Sequence, residues 1–408
     1  MSARTAVSYR PPRRLALALP LMLAALPAPA RASDHLDSPT VIADPRADIG
    51  DLYAWMQPDG RRLNLAMTVV GHGFSDRLRY VFRIDSARRF GGADASVEIV
   101  CRVPAAERVE CSADGIDAAR GDARGEAGLW GERHRLRVFA GLRDDPFYNN
   151  VRGTRAAYQV AAAALAAGAP LDAARCARFE PATVRAIAEQ WRHTDGDPAR
   201  NFLAGWTPAA LVVQIERKAV DRGGPLLAVW AAVESSERRI DRAGRVLTGN
   251  ALLGTLDGEE ASDRLKERYN AGAPADGAEF APQIERGLAL YDAFDGRCGN
   301  ALLAASEPAR RYRALARLLA DDRLWVDSRR RRCQRPFAVE LAQAAGRRAD
   351  RGDCGGRTPL QAAINVYRSL LVDASVDGVS DGLQRDEKTP SVDRFPFLAP
   401  ADAAGYSP

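Results

Sequence analysis

Histidine and lysine are scarce in this chain, and the common catalytic signatures are missing altogether. Only His35, His72, His134 and His193 occur among 408 residues, and lysine stands only at positions 218, 266 and 388. Basic charge is therefore carried almost wholly by arginine. No pair of cysteines is spaced C-x-x-C, which speaks against zinc ribbons and thioredoxin-type redox centres. There is no G-x-S-x-G, no phosphate-binding loop, no H-E-x-x-H and no dinucleotide fingerprint, so the hydrolases, nucleotidases, zinc proteases and dehydrogenases that carry them have no mark here. No run reaches the roughly 18 apolar residues of a membrane-spanning helix, and no repeat of about 20–50 residues is present. The composition, 46% hydrophobic and 27% charged, is that of a globular protein rather than a collagen, a coiled coil or a disordered chain.

The formal charge of +5 is misleading. Residues 1–32 hold Arg4, Arg10, Arg13, Arg14 and Arg31 and no acid, so the remainder is neutral. A field for binding nucleic acid is not supported. Those same residues have the form of an export signal. Arg10, Arg13 and Arg14 precede the apolar run Leu15 to Leu26, and Ala30-Arg31-Ala32 offers a small-x-small cleavage site. Cleavage after Ala32 is expected, leaving an exported chain without a transmembrane segment, periplasmic or secreted. Arg13-Arg14 before Leu15 also sketches a twin-arginine signal. The six cysteines, Cys101, Cys111, Cys176, Cys298, Cys333 and Cys354, suit three disulfides in such a compartment.

Apolar alternation with period 2 marks Leu63 to Val69, Tyr80 to Ile84, Val97 to Val103, Leu136 to Val138, Leu211 to Ile215 and Leu226 to Val233. Gln57-Pro58-Asp59-Gly60 and Gly223-Gly224-Pro225 are turns. An Ala-rich stretch from 156 to 167 and a second from Pro181 to Trp191 read as a helical insertion over about 153–200. After Ala261 the period becomes 3.6. Ser306 is placed to cap a helix carrying Tyr312, Leu315 and Leu319, and Thr358 to start another through Leu371. The expected architecture is mainly β: an antiparallel, half-buried sandwich over 33–260, then a helical region and a docking tail over 261–408. Pairing Val103 with Val109 around a hairpin sets Cys101 opposite Cys111, within disulfide reach. Among Cys176, Cys298, Cys333 and Cys354 three pairings stay open, and proximity favours Cys333–Cys354.

Several motifs, taken together, resemble a known family. They are His35-Leu36-Asp37-Ser38-Pro39, the run Ala47 to Trp55, Tyr80 to Asp85, Gly141 to Phe147 with its Arg143-Asp144-Asp145-Pro146, Asp241 to Arg245, and Phe395-Pro396-Phe397-Leu398-Ala399-Pro400. The chain resembles the bacterial family catalogued as domain of unknown function 4331. That resemblance implies an exported protein and transfers no catalytic residues. A looser similarity, in strand order over Asp51 to Asp85, is to family 9 carbohydrate-binding modules and related heme-binding sandwiches.

Candidate chemistry lies in the acids. His35, Asp37, Asp51, Asp144 and Asp145 are expected near one another as a site for a divalent metal, since carboxylates suit hard cations; the bland reading is turn capping at one end of the sandwich. Asp241 and Arg242 would join them as a latch. Asp373, Asp377 and Asp381 admit the same two readings. A new terminus at Ser33-Asp34-His35 offers an amine, two amides and an imidazole to copper(II) or nickel(II) in a square plane. Tyr53, Trp55, Trp206 and Trp230 are either core or the lining of a sugar or heme site. Arg329 to Arg332 reads as a solvated loop. The functional expectation is a non-enzymatic binding protein. Its rivals are an enzyme with an acidic loop site and a heme-binding sandwich, the latter needing Met56, Met67, His72 or Lys218 to face one cavity.

Overall fold

Strand alternation in the first half of the chain becomes two antiparallel sheets in the computed structural model, which describes residues 37–303, 307–345 and 352–401. The short helix α1 (Pro39–Ala43) leads into β1 (Ile49–Met56), which turns through Gln57–Arg61 into β2 (Arg62–Val69). Gly60 closes that turn at φ +71°, a conformation open to glycine, and its N–H donates to the Gln57 carbonyl at 2.7 Å. There follow β3 (Arg79–Ala87), β4 (Ala95–Ala105), β5 (Arg108–Ala113), β6 (Asp117–Gly121), β7 (Leu129–Trp130) and β8 (Leu136–Leu142). Two helices, α2 (Val151–Ala166) and α3 (Pro181–Arg192), and a small hairpin, β9 (His193–Thr194) with β10 (Asp197–Pro198), stand between β8 and β11 (Ala209–Glu216). The turn α4 (Arg217–Val220) joins β11 to β12 (Leu226–Glu234), and β13 (Arg239–Ala243) completes this half.

One sheet runs β1-β2-β11-β8-β7 and the other β13-β12-β3-β4-β5-β6. Their inner faces share one core, with Leu52, Leu65, Met67 and Leu211 from the first sheet and Phe82, Ile84, Ile99 and Val229 from the second. The C-terminal half supplies α5 (Thr248–Leu252), α6 (Glu259–Ala271), α7 (Ala281–Asp292), α8 (Arg313–Ala320), α9 (Ala338–Ala344) and α10 (Ala363–Asp373). It also supplies β14 (Leu324–Asp327), which pairs with Leu226–Val229 at the same edge of β12 that β13 occupies further along. The helical region is thus not purely helical. The helix expected from Thr358 begins only at Ala363, after a turn in which the Thr358 N–H donates to the Gln361 side chain at 2.8 Å. Ser306 lies outside the described residues.

The sheets are more deeply covered than alternation suggested. β1 is buried at every position, and so is all of β2 but Arg62. The reason is a second apolar layer outside the first sheet. Tyr53, Trp55, Ala66, Phe139, Ala210 and Val212 on its outer face are covered by Phe395, Phe397 and Leu398 of the C-terminal tail. Trp55 meets Phe397 edge-on at 4.8 Å between ring centroids, a geometry worth about 0.5–1.5 kcal/mol beyond burial. By contrast β4 and β5 keep one exposed face and alternate as expected.

Three disulfides join Cys101 to Cys111, Cys176 to Cys298 and Cys333 to Cys354. Cys101 lies directly across the β4–β5 ladder from Cys111. Beyond Arg102 the ladder shifts register, so that the hairpin ends on Ala105 opposite Arg108 rather than on Val103 opposite Val109. Among the described residues no helix is long and apolar enough to cross a membrane.

Candidate functional site

Two places on the first sheet concentrate chemistry: a buried polar cluster on its outer face and an open cleft at one end of the sandwich. The cluster grows out of strand alternation. Asp51, Tyr53 and Trp55 point outward from β1 because Leu52, Ala54 and Met56 fill the inner core. Asp145 follows β8, and its carboxylate accepts from the Tyr53 hydroxyl at 2.7 Å and from Thr68 at 2.5 Å. Arg357 arrives from the far end of the chain. Its backbone pairs with Ala54 at the free edge of β1, and its guanidinium is ion-paired with Asp51 and donates to the Leu52 carbonyl at 3.3 Å. The guanidinium also lies 4.2 Å from the Tyr53 ring centre. Burial raises the Asp145 carboxyl, against the hydrogen bonds from Thr68 and Tyr53 that lower it. Burial, then the charges of Asp145 and Asp51, hold the Tyr53 phenol well above its ordinary range. Tyr53, Asp51, Asp145 and Arg357 are all at most 4% exposed, so the cluster is a sealed clasp with its hydroxyls already spent on Asp145.

Sequence reasoning missed Arg357. The signal was the Cys354-Gly355-Gly356 run before it. Both glycines have positive φ, and a Cβ on Gly356 would sit 2.2 Å from the Ala54 carbonyl oxygen, so glycine is what lets this segment lie against β1.

Asp144, the neighbour of Asp145, faces a different group. Its backbone N–H donates to the Ala399 carbonyl at 3.0 Å, and its carboxyl is hydrogen-bonded to that of Asp386 in the tail. Burial raises Asp144 to about 6, and burial together with Glu387 and Asp144 raises Asp386 to about 9. In the helical layer, burial raises Glu340 to about 7. A raised carboxyl binds its proton more tightly folded than unfolded, so its stabilising contribution is complete below the ordinary value near 4 and is lost as pH climbs through the raised value. Urea midpoints are therefore expected to fall between about pH 5 and about pH 9, and the double variant Asp386→Asn, Glu340→Gln to flatten that slope. Midpoints that rise with pH across this window would contradict the assignment.

The remaining expected ligands do not converge. Asp37 accepts from Asn270 on α6, while Asp241 accepts from the Ile49 N–H at 2.7 Å. Arg242 donates to the Tyr269 carbonyl at 2.7 Å and stacks on that ring. Asp37 and Arg242 thus reach α6 and Asp241 reaches β1, on other partners than those of Asp144 and Asp145. Ser33, Asp34 and His35 lie outside the described residues. Asp373 and Asp377 bond to Ser375, and Asp381 accepts from the Asn150 N–H and the Asn365 amide, so these acids cap turns. Arg329 and Arg330 turn back to Asp327. Asp172 gathers with Cys176 and Cys298, but those sulfurs are joined in a disulfide and supply no thiolate.

The cleft opens where the ends of β8 and β11 face the tip of the β4–β5 hairpin. Its volume is about 580 Å³, and Val103, Val109, Ala123, Ala140, Leu142 and Ala209 form its walls with Phe74. Leu142 remains 45% exposed there. Charged groups, Asp76, Glu107, Arg108 and Arg124, stand at the lining with His72, whose Nδ1 lies 2.9 Å from the Thr207 carbonyl oxygen. Of the four candidates for a heme site, His72 alone lines this cleft; Met56 and Met67 are packed in the core and Lys218 is on α4. Tyr53, Trp55 and Trp230 are buried, and Trp206 lies against Gly50.

No family model, curated protein or solved structure matches the chain.

Proposed function

We propose that this is an exported, non-enzymatic ligand-binding protein on a β-sandwich scaffold, and that its ligand occupies the cleft between the sheet ends. The observation that carries this reading is the cleft itself. A volume of about 580 Å³ with apolar walls and a few charged groups has the size and character of a small-molecule site. The buried clasp around Asp145 is structural in this reading, since its groups are shut from water and lie outside the cleft. Three disulfides suit an oxidising compartment, in keeping with a signal peptide cleaved after Ala32. Membership of the family catalogued as domain of unknown function 4331 belongs to the same proposal.

The test is binding of the neutral dye N-phenylnaphthylamine, followed by its fluorescence. Ala106 on the hairpin tip and Leu142 on the opposite wall are both exposed, so Ala106→Trp and Leu142→Glu alter the cleft without entering the core. Each is expected to weaken dye binding about tenfold, the equivalent of about 1.4 kcal/mol. Unchanged binding in both variants, with the fold intact by circular dichroism, would remove the cleft from consideration.

A further inference from the structure

We infer that the end of the sandwich opposite the cleft docks on a bilayer surface that carries acidic phospholipids. Strand direction gathers the loops of that end. The turn from β1 to β2, the link from β3 to β4, the α4 turn between β11 and β12, and the segment after β14 all leave the sheets there. The cleft takes the other ends of β4, β8 and β11. Contacts between the loops agree. The Arg217 N–H donates to the Arg61 carbonyl at 2.9 Å, and its guanidinium to the Ser328 carbonyl at 3.4 Å. The Arg331 side chain packs over Gly60 in the β1–β2 turn.

The chain beyond residue 32 is neutral as a whole, but this end is not. Segments 57–62, 88–94, 114–117, 131–135 and 216–222 carry nine cations against seven acids, and 327–332 adds four arginines against Asp327. Just behind them Arg335 is offset by Asp353, and Arg394 by Asp393. Asp327 is shared by two guanidiniums, Arg329 at 2.8 Å and Arg330 at 3.7 Å. Arg331 and Arg332 are exposed and make no ion pair within 4 Å among the described residues; Arg332 reaches only the Gln334 amide oxygen, at 2.7 Å. The arginine run, which reads from sequence as a solvated loop, is thus the centre of a basic surface.

Two features select a bilayer over a soluble polyanion. The cations stand on the ends of two stacked sheets, about 10 Å apart with strands about 4.8 Å apart. They form a two-dimensional array, which matches a surface better than a single chain. Leu360 adds an apolar contact. It is 54% exposed, and its neighbour Gln361 donates to the carbonyl of Cys333, the residue after the arginine run, at 3.3 Å. Basic residues draw a protein to an acidic bilayer, and an exposed leucine beside them enters the headgroup boundary. Docked this way, the protein turns its cleft away from the lipid.

The test is co-sedimentation with vesicles of phosphatidylcholine alone or with about 30% phosphatidylglycerol, an acidic content that gives the surface its negative potential. The chain is used from Ser33, because the apolar run Leu15 to Leu26 would itself enter a bilayer, and every described element lies beyond it. Binding is expected only to the acidic vesicles and is expected to be lost at about 0.5 M salt. The double variant Arg331→Glu, Arg332→Glu should weaken it at least thirtyfold, at about fivefold for each basic residue removed, and Leu360→Ser about threefold. Arg313→Glu, Arg317→Glu, an exposed pair on α8, should leave it nearly unchanged. Equal binding to both vesicles, or equal losses in the two charge-reversal variants with the fold intact by circular dichroism, would overturn the proposal. Tighter binding to dextran sulfate than to acidic vesicles, with Leu360→Ser without effect on either, would replace the bilayer by a soluble polyanion and overturn it as well.

Discussion

Replacing Arg357 by methionine is expected to destabilise the fold by about 3–5 kcal/mol, the cost of leaving a buried acid without its opposite charge. Arg357 is 3% exposed and Asp51 is 3% exposed, so water cannot take the place of the guanidinium. The loss spreads beyond the pair, because the same group stacks on Tyr53, which in turn donates to Asp145. The double variant Asp51→Leu, Arg357→Met is expected to recover a large part of the stability, since a matched apolar pair of similar size avoids the desolvation of both ions. Urea denaturation of the three proteins decides it. A double variant no better than Arg357→Met alone would show that the ion pair is not the source of the loss.

Removing the Cys176–Cys298 bridge is expected to have an effect of comparable size. Its cysteines are 122 residues apart, and closing a loop of that length restricts the unfolded chain by about 5 kcal/mol in the chain-entropy account. The Cys101–Cys111 bridge closes a loop of only 10 residues and is worth about 3 kcal/mol on the same basis. The paired alanine variants are therefore expected to lose unequal stability, with the Cys176–Cys298 variant the worse. The reverse order in chemical denaturation would mean that the native environment of the bridges, rather than loop length, sets their contribution.

Much of the sandwich was legible because strand alternation is local. Leu63, Leu65 and Met67 announce an inner face whatever pairs with them, and the hairpin from Cys101 to Cys111 follows from eleven consecutive residues. What was not legible depends on partners far along the chain. Asp51 and Asp145 were recognised as unusual acids, but the group between them is Arg357, 306 residues after Asp51. Asp144 was grouped with Asp145 as its neighbour, yet successive residues beyond a strand end turn to different surroundings, one into the clasp and the other towards Asp386. The two-sided burial of β1 was hidden for the same reason, since its cover is the tail. The cleft is made by strand ends and a hairpin tip that no single segment contains.

The edge and outer face of β1 are completed by the last part of the chain, and this sets a timetable for synthesis. At about 5–20 residues per second, the 306 residues between Asp51 and Arg357 take about 15–60 s to emerge. Throughout that interval the first strand has an open edge, an acid without its counter-charge and an aromatic face without its cover. Such a strand cannot settle early, however strong its own preference for extended structure, and pairings this distant are slow to form. A nascent chain in this state presents Tyr53, Trp55 and Phe139 as an uncovered apolar face until Phe395, Phe397 and Leu398 arrive to pack on it.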